Sequence, residues 1–491
     1  MTLWTKAELL TALSGELLDH KLSDDLAIDE VVIDSRKSCK SGLFLALKGE
    51  KNDAHDFLEQ TVANGCCVLL VQDLEALTKV KNSNFILVKN TLDALYKLAK
   101  FSRQRSAAKI IAITGSVGKT SSKEMLKLAF APYGKTFATA GNFNNHIGLP
   151  LSLCNFSRDC EFGIFEMGMN HLGEIEPLSR LARPHLAIIT NVGPVHLEFF
   201  KNEEEIALAK SEIFAGLEPE GIALLNRDNR HFGFLEKRAA NSVSFGQNPE
   251  STYHLKSFEI RSLDQAEVFL SIRDKGLYPF GIKQRDTSRA PLCGEPLPAC
   301  PRDIQKNKTK ISYKISTANR AIIFNSLAVA AALDLLVGDS TIGLAQLTKL
   351  ENGAGRGKVS EMFFGQKKIT VIDDSYNASL PSMEAGLEFA RELKFALKKK
   401  RIVAALGDML ELGEKSVEVH EEVANYLLAL HIDFAVLVGA KMAEMAKKLP
   451  KNSYKTFFDS AAARLEIQDL LQDGDILYIK GSRGMKMEKL I

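Results

Sequence analysis

The apolar run Lys109-Ile110-Ile111-Ala112-Ile113 stops at Thr114-Gly115-Ser116-Val117-Gly118-Lys119-Thr120, and Ser121 to Phe130 then place apolar side chains at helical spacing. A buried strand that ends in a glycine-rich turn and opens a helix is the first unit of a nucleotide-binding α/β domain. Glycines let backbone N–H groups turn inward around phosphate, and the helix N-terminus adds positive potential. Lys119 can reach terminal phosphates and Thr120 can ligate Mg²⁺. Gly115, Ser116, Val117, Gly118, Lys119 and Thr120 are therefore the expected ATP contacts. The usual loop holds about four residues between its glycines; here only Ser116 and Val117 separate them. A tight strand-to-helix turn with a surface lysine is the bland alternative.

The alternation continues on both sides. Before the loop, Val31 to Ile33, Leu43 to Leu47, Val68 to Val71 and Phe85 to Val88 read as buried strands, with helical spacing over Phe57 to Asn64 and Thr91 to Arg105. After it come apolar runs at 161–165, 186–190 and 221–225, then a strongly helical stretch from Ala318 to Leu336. Strands at 369–372, 402–406, 434–438 and 476–479 alternate with helices at 381–398 and 417–430, as in a doubly wound sheet. A chain of 491 residues is longer than one hydrophobic core serves. The expected fold class is α/β in three domains. They are a smaller N-terminal α/β domain (1–106), a central P-loop-type nucleotide-binding domain with a mostly parallel sheet (107–337), and a C-terminal Rossmann-like doubly wound domain (338–491). A hinge is expected at Val337-Gly338-Asp339. Residues 275–310 hold Pro279, Pro291, Pro296, Pro298 and Pro301 with few apolar side chains, and read as an irregular insertion.

Sixty-three basic against sixty-one acidic residues leave a net charge of +2, so there is no general electrostatic pull toward nucleic acid or anionic membrane. The N-terminus, Met1-Thr2-Leu3-Trp4-Thr5-Lys6, lacks the charge and apolar pattern of a signal peptide, and no long uninterrupted apolar run suggests a membrane span. Seven cysteines without Cys-x-x-Cys spacing suit a reducing compartment better than a disulfide framework or zinc site. The expectation is a cytoplasmic monomer, with no nucleic-acid partner and no membrane insertion.

Several polar residues stand where such sheets bind ligands. Glu166 ends an apolar strand, at the edge where a carboxylate after a phosphate loop can take Mg²⁺; a solvated strand-end glutamate is the alternative. Gly141-Asn142-Phe143-Asn144-Asn145-His146 by itself reads as a polar loop. His196 follows a strand, and Lys210 lies on the next helix; each alone reads as structural or solvated. Asn325 is an amide within an apolar helix, where it needs partners that an adenine edge can supply. Arg356, after Gly353-Ala354-Gly355, suits phosphate neutralisation. Asp374 ends a strand in Asp373-Asp374-Ser375-Tyr376-Asn377.

The shortened loop over 114–120 resembles that of the Mur ligase and folylpolyglutamate synthase superfamily. Lys119, Asn145, Glu166, His196, Lys210, Asn325, Arg356 and Asp374 occur in the order of the Mur ligase pattern, across nearly the whole chain. Asp34-Ser35-Arg36, Gly42 to Gly49, Asp373 to Ala378, Leu406 to Gly413 and Lys480 to Met485 resemble the branch that adds D-alanyl-D-alanine to UDP-MurNAc-tripeptide. The resemblance implies an ATP-dependent amide ligase of peptidoglycan precursor synthesis that works through an acyl phosphate. It implies Mg²⁺ at two places: one at Thr120 and Glu166, the other at His196 and a Lys210 that carries a carbamate. Lys119 and Arg356 would hold phosphate, Asn325 and Asp374 adenine and ribose, and Asn144 and Asn145 would lie beside the γ-phosphate and acceptor. The first domain would hold the UDP-sugar, with Ser35 and Arg36. The third would take the dipeptide, with Tyr376, Asn377, Lys480, Ser482 and Arg483. The family's Asp-Gly-His, Gly-Arg-His and Asn-Ala-Asn-Pro are here Asp53-Ala54-His55, Asn319-Arg320-Ala321 and Asn377-Ala378-Ser379-Leu380. The rivals are another ligase of the superfamily, folylpolyglutamate synthase included, and a P-loop ATPase switch, which needs no third domain of this kind.

Overall fold

The computed structural model describes residues 2–37, 39–49, 52–80, 83–194, 198–273, 310–351, 353 and 355–491. Three large sheets organise the chain. The first orders Leu17–Lys21, Asn84–Val88, Val68–Val71, Gly42–Leu45 and Glu30–Val32, parallel except for the first pair. Val68–Val71 and Gly42–Leu45 are buried at every position, which is why they read as continuous apolar runs rather than alternating ones. The helix Thr91–Gln104 then leads toward the central unit. Asn90 caps it, its Oδ1 accepting from the N–H groups of Leu92 (2.8 Å) and Asp93 (3.0 Å), groups that would otherwise go unpaired.

The central sheet has nine strands. From Thr136–Ala138 through Phe162–Glu166, Lys109–Thr114, Leu186–Ile189, Ile222–Asn226 and Ser242–Gly246 to Tyr253–Ser262 they run parallel, and Gln265–Ile272 and Lys310–Ile315 add an antiparallel edge. The expected 275–310 insertion joins those last two neighbouring strands. Lys310 begins the second of them, paired with Ser271, and the rest of the stretch lies outside the described residues. The helix Arg320–Val337, capped by Asn319 and ended by Gly338 at φ 84°, covers one face with the phosphate-loop helix Lys119–Phe130. By length and composition it is apolar enough to cross a membrane. Here Ile323, Leu327, Ala328 and Leu333 are buried in the central core.

The third sheet orders Lys358–Phe364, Lys367–Asp374, Ile476–Lys480, Ile402–Gly407, Phe434–Val438 and Tyr454–Phe457. Its first pair is antiparallel and the rest parallel. The register sets Asp374 opposite Lys480 and Lys480 opposite Leu406, so the ends of three strands share one edge.

The units are joined unequally. The first and central sheets share one apolar core, which includes Trp4, Leu95, Leu98 and Ile110. Trp4 Nε1 donates to Cys154 O (2.9 Å), and the Asn155 side chain pairs with both the N–H and C=O of Val31 at 2.9 Å. The central and third units meet through Arg320 Nη1 and Glu392 Oε1 (2.9 Å) and through Ile260 and Leu263, which pack against the third core. The boundary and hinge expected at 337–339 fall inside packed structure. Leu344, Leu347 and Leu350 belong to the central core, and Tyr133 Oη donates to Asp339 O and accepts from Gly343 N. The chain crosses to the third sheet only between Leu350 and Lys358.

Candidate active site

Strand register assembles the site. Glu166 pairs with Ile113 and Ile189 with Thr114, so Glu166, the loop after Thr114 and Thr190 converge at the C-terminal edge of the central sheet, the edge where open α/β sheets bind ligands. The loop is clamped to its neighbour. Ser116 N donates to Asn191 O (2.9 Å), Ser116 Oγ bonds the Gly193 backbone (3.0 Å), and Thr190 Oγ1 donates to Val117 O (2.6 Å). A Cβ on Gly115 would lie 2.0 Å from Thr190 Oγ1, so only glycine fits. Gly118 has φ 86° and no side chain caps the helix it begins. The first-turn N–H groups are thus without a capping side chain, and these groups attract anions.

Gly118→Ala should weaken nucleotide binding about tenfold or more. Left-handed backbone costs alanine about 1–2 kcal/mol, and the new Cβ would meet Asn325 Nδ2 at 2.4 Å. Gly173→Ala has the same backbone cost (φ 89°) with nothing within 4 Å, and should leave ADP binding unchanged in a calorimetric titration.

Glu166 is 2 % exposed, which removes the solvated strand-end reading. Its Oε2 accepts from Thr120 Oγ1 (3.1 Å) and its Oε1 from Asn144 Nδ2 (2.9 Å), while Lys123 Nζ stands 3.8 Å from Oε2. A buried carboxylate beside a threonine hydroxyl and an amide is a hard-oxygen set of the kind Mg²⁺ takes. The residues therefore fit one such ion at Thr120 and Glu166.

Around this carboxylate the charges are mostly positive. Lys119 Nζ donates to Gly115 O (2.6 Å); burial pushes its ammonium below the ordinary lysine range, opposed by Glu166 and reinforced by the Arg356 guanidinium. Lys210 is 3 % exposed, so the exposed-lysine reading fails. Burial and the nearby Lys119 charge lower its pKa well below the ordinary value, and none of the ion pairs among the described residues involves it. Several enclosed basic side chains around one buried carboxylate favour a polyanionic ligand.

The remaining candidates divide. Asn144 reaches Glu166, whereas the Asn145 Oδ1 accepts from Gly148 N (2.8 Å) and Ile147 N (3.2 Å), at the start of the next helix. Asn325 stands against Gly118, beside the loop. Arg356 stacks on the Tyr376 ring at 3.9 Å, and Arg483 lies 5.7 Å from the same ring. Asp374 and Lys480, expected to face different ligands, pair with each other (Nζ to Oδ2, 2.5 Å). Burial raises the Asp374 pKa, with Lys480 opposing. Ser482 is buried, and its Oγ accepts from Leu410 N (2.9 Å); Asn377 is exposed. Arg36 is exposed on the first unit and forks onto Asp34 at 2.8 Å by two nitrogens, holding that carboxyl down at about 2. Beside them, Ser35 Oγ is 3.5 Å from Gln60. His196, Cys293 and Cys300 lie outside the described residues. Thr190 and Lys123 were not anticipated; the signal for Lys123 was its spacing, four residues after Lys119 and hence on the same helix face.

Two family models match the chain, the Mur ligase middle domain over residues 113–285 and the Mur ligase, glutamate ligase domain over 360–483. A UDP-N-acetylmuramoyl-tripeptide--D-alanyl-D-alanine ligase from Rickettsia prowazekii is 33% identical, over 100% of this chain and 99% of its own. Among solved structures, MurF from Acinetobacter baumannii superposes with a TM-score of 0.79 at 28% identity, covering 99% of this chain and 97% of its own. MurF ligase from Thermotoga maritima, solved in complex with ADP, gives 0.75 at 25% identity over 95% and 97%. With similarity running from end to end and the phosphate loop inside the matched middle domain, the chain belongs to the Mur ligase family.

Proposed function

We propose that this chain is an ATP-dependent ligase that joins D-alanyl-D-alanine to UDP-MurNAc-tripeptide in the cytoplasm, for peptidoglycan precursor synthesis. The observation that carries the reading is the juxtaposition of Thr120, Asn144 and Glu166 with Lys119 and Lys210 at one sheet edge, in a chain whose full-length relatives bear that ligase name. In the proposed reaction the terminal carboxylate of the tripeptide attacks the γ-phosphorus of ATP. The bond to ADP breaks, and an acyl phosphate forms. The dipeptide amine then adds to the acyl carbon, and the tetrahedral intermediate expels phosphate.

Positioning and charge neutralisation account for most of such a step. Lys119 and Arg356 offset charge on the transferring phosphoryl group from opposite units, so the site is complete only when the central and third units meet, which also excludes water from a hydrolysable intermediate. Mg²⁺ at Thr120 and Glu166 would neutralise phosphate charge. Asn144 keeps Glu166 aimed at that position. Burial favours the neutral amine of Lys210, the form that adds CO₂; losing a proton then leaves a carbamate, and a misplaced cation becomes an anion able to support a second ion with His196. The first unit would hold the UDP-sugar near Ser35 and Arg36. The third would hold the dipeptide near Tyr376, Asn377 and Arg483.

Phosphate release from ATP should require UDP-MurNAc-tripeptide and D-alanyl-D-alanine together, because one forms the acyl phosphate and the other consumes it. Fast release with neither present would favour a nucleotide switch instead.

A further inference from the structure

We propose that Lys123 is a resident counter-cation for Glu166, one that keeps the divalent-cation site formed yet closed to metal alone, so that metal enters only with nucleotide phosphate. The inference rests on the reading of Thr120 and Glu166 as cation ligands. Lys123 sits one helical turn beyond Lys119, and its side chain is 0% exposed. Its Nζ lies 3.8 Å from Glu166 Oε2, the oxygen that accepts from Thr120, and 3.3 Å from Glu124 Oε1; it donates to Gly141 O at 3.0 Å. The Glu124 side chain is 48% exposed, so solvent screens its share, whereas that of Glu166 is 3% exposed. A charge this deep needs a partner, and Glu166 is the enclosed carboxylate beside Lys123.

Two consequences follow from that pairing. The bond to Gly141 O ties the ammonium to the loop that carries Asn144, so one group fixes both the carboxylate and the amide that aims it. A divalent ion entering by itself would add two charges beside an ammonium that cannot move into water. The repulsion is strong at this range and depth, and a polyphosphate arriving with the metal offsets it.

The test is Mn²⁺ binding to the full chain, read by electron paramagnetic resonance, without nucleotide and then with ADP. The wild type should bind Mn²⁺ weakly alone and much more tightly with ADP. Lys123→Met, which keeps the stem but not the charge, should bind Mn²⁺ alone about tenfold more tightly (about 1.4 kcal/mol), and ADP should add correspondingly less. Lys123→Arg should stay as weak as the wild type. If Lys123→Met does not fold, Lys123→Gln, which can still donate to Gly141 O, must show the same gain. No gain on removing the charge, or an equal gain in Lys123→Arg, overturns the proposal. Glu166→Gln separates this from failure of the site itself: if that variant retains full Mn²⁺–ADP binding, Glu166 is not a cation ligand and the underlying reading fails first.

Discussion

Lys119→Met is expected to lower ligation by about 100- to 1000-fold, the range seen when one preorganised charge-stabilising donor is removed, without loosening the fold. The expectation has two parts. Lys119 opens the phosphate-loop helix with its ammonium held at Gly115 O, 2.6 Å away, beside N–H groups that no side chain caps. Removing it deletes a buried positive charge from the phosphate loop itself. Burial and Arg356 already lower its pKa in the folded state, so the charged form is less favoured there than in the unfolded chain. In the pH window between the lowered folded value and the ordinary lysine value, the unfolded state binds more protons and stability rises with pH. Near neutral pH the ammonium is therefore a cost to folding, and methionine, of similar volume, should hold the melting temperature or raise it. Steady-state assays paired with thermal melts check both parts. Near-normal activity would show that the shortened loop is not the ATP site.

Lys210→Ala should disable the enzyme to a similar degree, for a different reason. As an ammonium, Lys210 would be a buried charge with the positive Lys119 as its neighbour. Such a group either loses its proton or is chemically changed. If CO₂ has converted it to a carbamate, the alanine variant lacks an anion, and a short carboxylate such as formate should restore part of the activity. Bicarbonate should stimulate the wild type and leave the variant untouched. Full activity in the variant, or a defect that no small carboxylate relieves, sinks the carbamate while leaving the family assignment intact.

What the sequence made legible was local. The strand, glycine turn and helix over 109–130 follow from neighbours in the chain, and so do the buried strands, whose apolar runs need no partner to be recognised. Two of the strands that escaped notice are exposed or half-buried along most of their length. Tyr253–Ser262 is buried only over its first three residues and Lys358–Phe364 only at Phe364; hairpin pairing with Gln265–Ile272 and Lys367–Asp374, rather than an apolar run of their own, makes them strands. Gly338 correctly marks a helix end, yet no local signal shows that Leu344, Leu347 and Leu350 fold back onto the central core. The site divides in the same way. Thr120 and Glu166 were readable from their elements, whereas Lys123 looks like a solvent-facing helix lysine until Glu166 is known to lie above it. Asp374 and Lys480 were assigned to different ligands because their pairing depends on the register of two strands far apart in the chain.

The central claim is that ATP activates a carboxylate, and oxygen transfer tests it most directly. With ¹⁸O in the terminal carboxylate of UDP-MurNAc-tripeptide, ATP and D-alanyl-D-alanine, mass spectrometry of the released phosphate should find one labelled oxygen, carried over when the acyl phosphate breaks down. Ligated product accompanied by unlabelled phosphate, or phosphate labelled only from water, would contradict it.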